Sequence, residues 1–206
     1  MSVCIKTYTY GPLGANMYAV FSDTAFIVVD PCVDPSKIVT DLACEGIFIT
    51  HGHFDHIAAL DSWKAAYPQV PVYIHDDDKI CISSAHDNLS ADFGFAMEFG
   101  LEVRSLDEVK GKDFLGCLHF DYYHTPGHSR GSCCLSFTDS DHHFLFTGDM
   151  LFAGSVGRTD FPGSSVDSMR SSIELLKGIE IPYEVYPGHG PATMLQRETA
   201  SNPFFY

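Results

Sequence analysis

The segment THGHFDH, residues 50–56, crowds three histidines and an aspartate into six positions, and any fold for this chain must give those side chains something to hold. An apolar strand-like run, GIFIT (46–50), leads into it, and a helical pattern follows it. His51 and His53 stand two residues apart, so in extended backbone they point to the same side. Asp55 and His56 come where the chain turns toward the helix. The spacing suggests two neighbouring groups of donors, His51 with His53 and Asp55 with His56. Imidazoles beside a carboxylate suit zinc, iron or manganese better than calcium or magnesium. Four donors do not complete two sites, so the remainder must come from elsewhere in the chain.

Three later segments share one design, a strand followed by a glycine-containing loop that carries one candidate donor. HTPGHSRGS (124–132) carries His128, TGDMLF (147–152) carries Asp149, and YPGHGPAT (186–193) carries His189. Glycine allows close backbone approach, and strand ends give a donor a rigid support. A lone loop histidine, or an aspartate after glycine, is ordinarily a surface or turn residue. The company of the 51–56 cluster is what favours a function here. The other histidines take the ordinary reading: His75 and His86 at strand ends or in loops, His119 in a strand, His142 and His143 in a hairpin turn with Asp139 and Asp141. His124 lies nearer the cluster in pattern but is not assigned to it.

Strand-like runs dominate the rest: NMYAVFS (16–22), AFIVVD (25–30), VPVYIH (70–75), CLHFDYYH (117–124), CCLSFT (133–138), HFLFT (143–147) and YEVY (183–186). Their β-branched and aromatic content, bounded by turn residues, predicts strands. Helices are expected over 34–44, where Asp-Pro-Ser makes a capped start, and over 56–67, which Pro68 ends. A third is expected over 166–179, with Met169, Ile173 and Leu176 on one face. Residues 88–104, with Gly94 and Gly100, read as loop-rich. Strands in groups with helices between them fit two packed sheets with helices outside, in a single domain spanning 1–206.

Lysine and arginine number 12 against 27 acidic residues, a net charge of −15, which disfavours nucleic-acid partners. No apolar run approaches the ~20 residues of a membrane span, and the N-terminus shows no signal-peptide pattern, so a cytoplasmic location is expected. Seven cysteines without a CxxC pair read as reduced, buried thiols rather than a disulfide framework.

The ordered set THGHFDH, TPGHS, TGD and PGHGP resembles the metallo-β-lactamase-fold hydrolases. FAGSVGRTDFPGS (152–164) and GHGPATMLQRETASNPF (188–204) look most like the short hydroxyacylglutathione hydrolase-like (glyoxalase II-like) branch. The resemblance implies an α/β fold, a four-layer αββα sandwich with two divalent metal ions at one edge, zinc first, with iron or manganese as alternatives. It assigns His51, His53 and His128 to one ion and Asp55, His56 and His189 to the other, with Asp149 bridging. Asp30, in VVDP, is similar to a family aspartate beneath the metal loop. Arg158 aligns with a basic family residue near the substrate. It either anchors a substrate carboxylate or makes a structural ion pair with Asp160.

The implied activity is hydrolysis of a thioester or related ester of a small-molecule acyl substrate, by attack of a metal-bridging hydroxide on the acyl carbonyl. Asp55 and Asp149 would serve that chemistry, Asp55 as a proton acceptor. Full-length hydroxyacylglutathione hydrolases carry a C-terminal helical domain that contacts glutathione. Seventeen residues, 190–206, follow His189 here, so glutathione recognition is not expected from that source. One alternative is a persulfide dioxygenase-like enzyme with one iron at positions matching His51, His128 and Asp149. Another is a non-catalytic metal-binding module, against which the complete donor set argues. A β-lactamase is disfavoured by the lack of an export signal. Oligomeric state is left open.

Overall fold

The computed structural model describes residues 3–206. Its first sheet takes the strands in chain order: β1 (Cys4–Tyr10), β2 (Ala15–Phe21), β3 (Ala25–Val29), β4 (Ala43–Phe48), β5 (Val72–Ile74) and β6 (Arg104–Ser105). The first three are antiparallel neighbours, and β3 through β6 run parallel. Helix α1 (Leu60–Ala66) and the single-turn α2 (Lys79–Ser83) lie in the connections between the parallel strands. The second sheet contains β7 (Asp113–Phe114), β8 (Leu118–His124), β9 (Cys133–Thr138) and β10 (His143–Gly148). A two-strand ribbon, β11 (Leu151–Phe152) and β12 (Ser155–Val156), follows, then α3 (Val166–Lys177). β13 (Glu184–Pro187) and β14 (Thr193–Met194) complete the second sheet in the order β14-β13-β10-β9-β8-β7, and α4 (Leu195–Ser201) follows.

Alternation of side chains along the strands sorts the apolar residues into three buried layers. Between the sheets, Phe48 of β4 meets Phe114, Phe120 and Phe137 of the second sheet at ring-centroid distances of 5.0, 5.0 and 5.2 Å. Outside the first sheet, Leu60 and Trp63 of α1 cover Phe26, Val28 and Ile47. Outside the second, Met169, Ile173 and Leu176 of α3 cover Leu145 and Val185. This is the αββα sandwich expected above. Among the described residues no helix is long and apolar enough to cross a membrane, and the seven cysteines are free.

Two helix expectations need correction. Over 34–44 the cap is present, with the Asp34 carboxylate accepting the Ser36 N–H at 3.0 Å, but only one 3-10 turn forms, Pro35–Lys37. That turn buries no residue, and the next one, Ile38, reaches the core from extended backbone while Val39 is 95% exposed, so the helix is not propagated. Residues 43–48 instead pair as β4. The helix expected over 56–67 begins only at Leu60, because residues 51–59 are spent on placing side chains at the sheet edge. The third runs Val166–Lys177, its start capped by Ser165, whose hydroxyl accepts the Ser168 N–H. Residues 88–104 are loop apart from one 3-10 turn, Ser90–Phe93, and the first residue of β6. β1 lies outside the expected strands; most of its residues are exposed, at the sheet's edge, and carry no apolar alternation.

Candidate metal centre

Both sheets end at one edge of the sandwich, and backbone hydrogen bonds close the seam there. Asn16 N donates to Gly188 O at 2.7 Å and Cys133 N to Thr50 O at 2.9 Å, each crossing from one sheet's strands to the other's. At this edge the loop after β4 carries His51, His53, Asp55 and His56. The β8–β9 loop carries His128, the residue after β10 is Asp149, and the loop after β13 carries His189. The structure therefore brings all seven expected donors together. Their donor atoms fall into three overlapping groups: His51, His53 and His128; His51, His56 and Asp149; Asp55, His56 and His189.

The geometry follows from how each imidazole is anchored from behind. His56 Nδ1–H donates to Asp30 Oδ2 at 2.9 Å, His128 Nδ1–H to the Arg158 carbonyl at 2.9 Å, and His189 Nδ1–H to the Leu13 carbonyl at 3.0 Å. The Thr50 hydroxyl is already donated to Asp30 Oδ2, so at 3.1 Å it accepts from His51 Nδ1–H. These partners assign the tautomers and aim four Nε2 atoms into the centre. His53 is the exception, with its Nδ1 at 2.9 Å from His128 Nε2.

Asp149 stands between the groups. Its Oδ2 lies 3.4 Å from His128 Nε2 and 3.5 Å from His189 Nε2. Its Oδ1 lies 3.3 Å from His56 Nε2, yet neither atom has an aligned hydrogen-bond partner, and His51 Nε2 has none either. Buried polar atoms without partners are costly, and here three of them point into one space. Burial, then the neighbouring His56 and His53, holds the His51 pKa well below its usual value. Burial and His128 push His53 down to about 3. Both are therefore neutral, the form that ligates. Burial also works against charge on His56 and His189. For His56 the carboxylates of Asp55 and Asp149 outweigh it and hold the pKa well above the usual value. For His189, hydrogen bonds to Asp149 and Asp55 push it up to about 10. Burial likewise opposes ionisation of the two carboxylates, but the charge on His56 and the contact with His189 keep both pKa values low. A cluster of nitrogen and carboxylate donors, preorganised and short of partners, fits divalent metal ions.

Asp30 sits beneath the loop, 1% exposed and in the left-handed region at φ 55°. It accepts the Thr50 N–H, the Thr50 hydroxyl and the His56 Nδ1–H, at 2.8, 2.8 and 2.9 Å. In Asp30→Asn an amide would turn a donor toward His56 Nδ1–H or force the imidazole into its other tautomer. Affinity for the second metal ion is expected to fall about 10–100-fold, the usual cost of losing such a partner. Titration against a chromophoric chelator measures it, and unchanged affinity would remove Asp30 from the centre.

Arg158 makes the ion pair with Asp160, both side chains largely exposed. Its Nε and Nη2 meet Asp160 Oδ1 and Oδ2 at 2.6 and 2.7 Å, and its guanidinium lies 4.1 Å from the centroid of the Phe161 ring. Its side chain borders the cavity over the centre, while its carbonyl is what orients His128. His124 stands apart, stacked on His75 at 4.0 Å with its Nε2–H donated to the Arg130 carbonyl.

Sequence reasoning missed Asp78. Its buried carboxylate accepts the Gly52 N–H at 3.0 Å, the Ser129 hydroxyl at 2.7 Å and the Gly131 N–H at 2.6 Å. It thereby joins the loop between His51 and His53 to the loop of His128. In the run HDDDK nothing local separates it from a solvated acidic stretch.

The centre opens into a cavity of about 360 Å³ bordered by His53, Asp55, His128, Asp149 and His189. Residues 10–189 match the family model described as the metallo-β-lactamase superfamily. Among curated relatives, a probable metallo-hydrolase of Bacillus subtilis, YqgX, is 36% identical, covering 94% of this chain and 93% of its own. The hydroxyacylglutathione hydrolase GloC of Haemophilus influenzae is 29% identical over 86% of this chain and 85% of its own. Of the solved structures, BLEG-1 B3 metallo-β-lactamase superposes with a TM-score of 0.86 at 30% identity, covering 98% and 99% of the two chains. TTHA1623 in a di-iron-bound form gives 0.80 at 35%, covering 97% and 99%. Fold, donor set and family model agree: the chain belongs to the metallo-β-lactamase superfamily.

Proposed function

We propose that the chain is a binuclear metal-dependent hydrolase of thioesters or related esters. The observation that carries this reading is Asp149, one carboxylate within reach of both histidine groups, its Oδ2 at 3.4 and 3.5 Å from His128 and His189 and its Oδ1 at 3.3 Å from His56. His51, His53 and His128 would hold one ion, and Asp55, His56 and His189 the other. Two such ions supply a hydroxide at neutral pH and a Lewis acid for the acyl carbonyl. The chain's own residues do the rest. Carbonyl and carboxylate partners lock the imidazoles, so little reorganisation is needed during reaction. Asp55 and Asp149 stay ionised, and Asp55, at the cavity wall, is placed to accept a proton. No lysine borders the cavity among the described residues, and Arg158 is held by Asp160. A leaving group that departs as a thiolate asks for no strong general acid, which favours a thioester over an amide. The likeness to GloC supports the same class, and the di-iron form of TTHA1623 supports a pair of metals.

Metal analysis of freshly purified protein, followed by a thioester panel that includes S-lactoylglutathione, tests the reading. Two metal ions per chain and thioester turnover are expected. One iron per chain, with oxygen uptake on glutathione persulfide and no thioesterase activity, would replace it with the dioxygenase reading.

A further inference from the structure

Beside the metal centre runs a second cavity of about 260 Å³, and its walls are almost wholly apolar. Tyr10 and Leu13 of the β1–β2 turn form one side, Phe93, Phe95 and Met97 the other, and Phe54 the floor. Asp55 is the one charged residue on it. Leu13, Phe54, Asp55 and Phe93 also border the cavity over the metal centre, so the two spaces adjoin. Phe54 lies between the donors His53 and Asp55 in sequence, which sets the groove floor directly against the reacting edge.

The apolar side chains on the walls are open to solvent. Tyr10, Leu13, Phe93 and Phe95 are 43, 46, 50 and 44% exposed. Exposed apolar groups gathered at one place mark a binding surface. The wall is also built rather than loose. Phe54 N donates to the Asn88 carbonyl at 2.9 Å, and the buried Asn88 amide holds the carbonyls of Cys81 and Met97 at 2.9 and 2.7 Å. Met97 N in turn donates to the Ser90 hydroxyl at 3.0 Å. Phe93 and Phe95 pack on Phe54 at 4.7 and 5.3 Å. A preformed apolar pocket with few polar groups is the usual form of a small-molecule site. Charge disfavours the alternative of a highly anionic substrate arm. Among the described residues neither cavity is bordered by lysine, and Arg158 is paired with Asp160.

We infer that this groove takes the apolar acyl group of the substrate, an aliphatic or aromatic chain, with the scissile carbonyl carried over Asp55 toward the metal centre. The inference rests on the hydrolase reading for its chemistry but on the groove alone for the chain class. Phe93, Phe95 and Leu13 are then the specificity-determining residues.

The test compares acyl thioesters of N-acetylcysteamine, from acetyl to octanoyl and phenylacetyl, on the metal-loaded protein. The ratio of kcat/KM between octanoyl and acetyl is expected to be on the order of 10², since methylenes in an apolar pocket discriminate strongly. It should fall toward one in Phe93→Ser and Phe95→Ser, and stay high in Leu175→Ser, a surface change on α3. Separately, the thioether S-octyl-N-acetylcysteamine is titrated calorimetrically into metal-free protein. Binding is expected, at least ~10-fold weaker in the two phenylalanine variants, with no binding of the S-ethyl analogue. Octyl binding without turnover of any thioester would end the hydrolase reading and leave the groove's ligand class standing. Equal turnover of acetyl, octanoyl and S-lactoylglutathione thioesters would overturn the inference and leave the hydrolase. A dimer whose dissociation is promoted by Phe93→Ser, with no thioether binding, would make the groove a contact between copies and overturn it as well.

Discussion

Replacing Asp149 by alanine is expected to leave fewer than two metal ions per chain and to reduce turnover of any substrate by far more than the ~10–100-fold that follows loss of an outer partner. The reason is its position. Asp149 Oδ1 and Oδ2 face His56 on one side and His128 and His189 on the other, so one substitution removes a donor from both groups. It also removes the carboxylate that balances charge on the buried His56, and uncompensated buried charge is destabilising. Asp149→Asn separates these effects, since it keeps the shape and loses the charge. Metal analysis, kcat/KM and the urea midpoint measured on both variants distinguish them. Retention of two tightly held ions in Asp149→Ala would rule out a bridging role.

Gly188→Ala should be nearly as damaging although it touches no donor chemically. A Cβ at this position would overlap Asp149 Oδ1 and lie 2.7 Å from His56 Cε1 and 2.9 Å from the Gly148 carbonyl carbon. The backbone has no room to yield. Gly188 N donates to Gly148 O at 2.8 Å, and Gly188 O accepts from Asn16 N at 2.7 Å. Overpacking of this kind costs about 1–3 kcal/mol, sometimes more, which outweighs the ~0.4–1 kcal/mol gained by stiffening the unfolded chain. Relief by moving Asp149 or His56 would instead weaken metal binding. The urea midpoint of the metal-free protein reads the first cost and chelator competition the second. A variant with wild-type values in both would refute the close packing.

Most of the centre was legible because its donors are unusual residue types in short, recognisable contexts. His51, His53, Asp55 and His56 announce themselves by density. His128, Asp149 and His189 do so by standing where strands meet glycine loops, although only the family resemblance divided them between two ions. Strand positions were read well where β-branched and aromatic residues are buried on both faces, as in Ala25–Val29 and Cys133–Thr138. The errors fall where local signals and tertiary packing disagree. The Asp34 cap is real, but Ile38 packs into the core from extended backbone and Val39 is left exposed, so the helix stops after a turn. Asp78 was invisible because two of its three partners are backbone N–H groups, those of Gly52 and Gly131, which any residue type except proline carries. The ion pair of Arg158 could be named from sequence but not chosen over a substrate contact, since both need only a nearby carboxylate.

Two of the histidines are steadied by main-chain carbonyls, those of Leu13 and Arg158, on segments whose side chains face the open cavities. A carbonyl is the same whatever residue carries it. Side chains at positions 13 and 158 can therefore be exchanged during divergence, or in a directed library, without unsettling the ligand cage. Insertions or deletions there would shift the carbonyls and have no such freedom. The molecule thus separates what it can revise from what it must keep: point changes retune which molecules enter, while the length of these two loops is tied to the reactive centre.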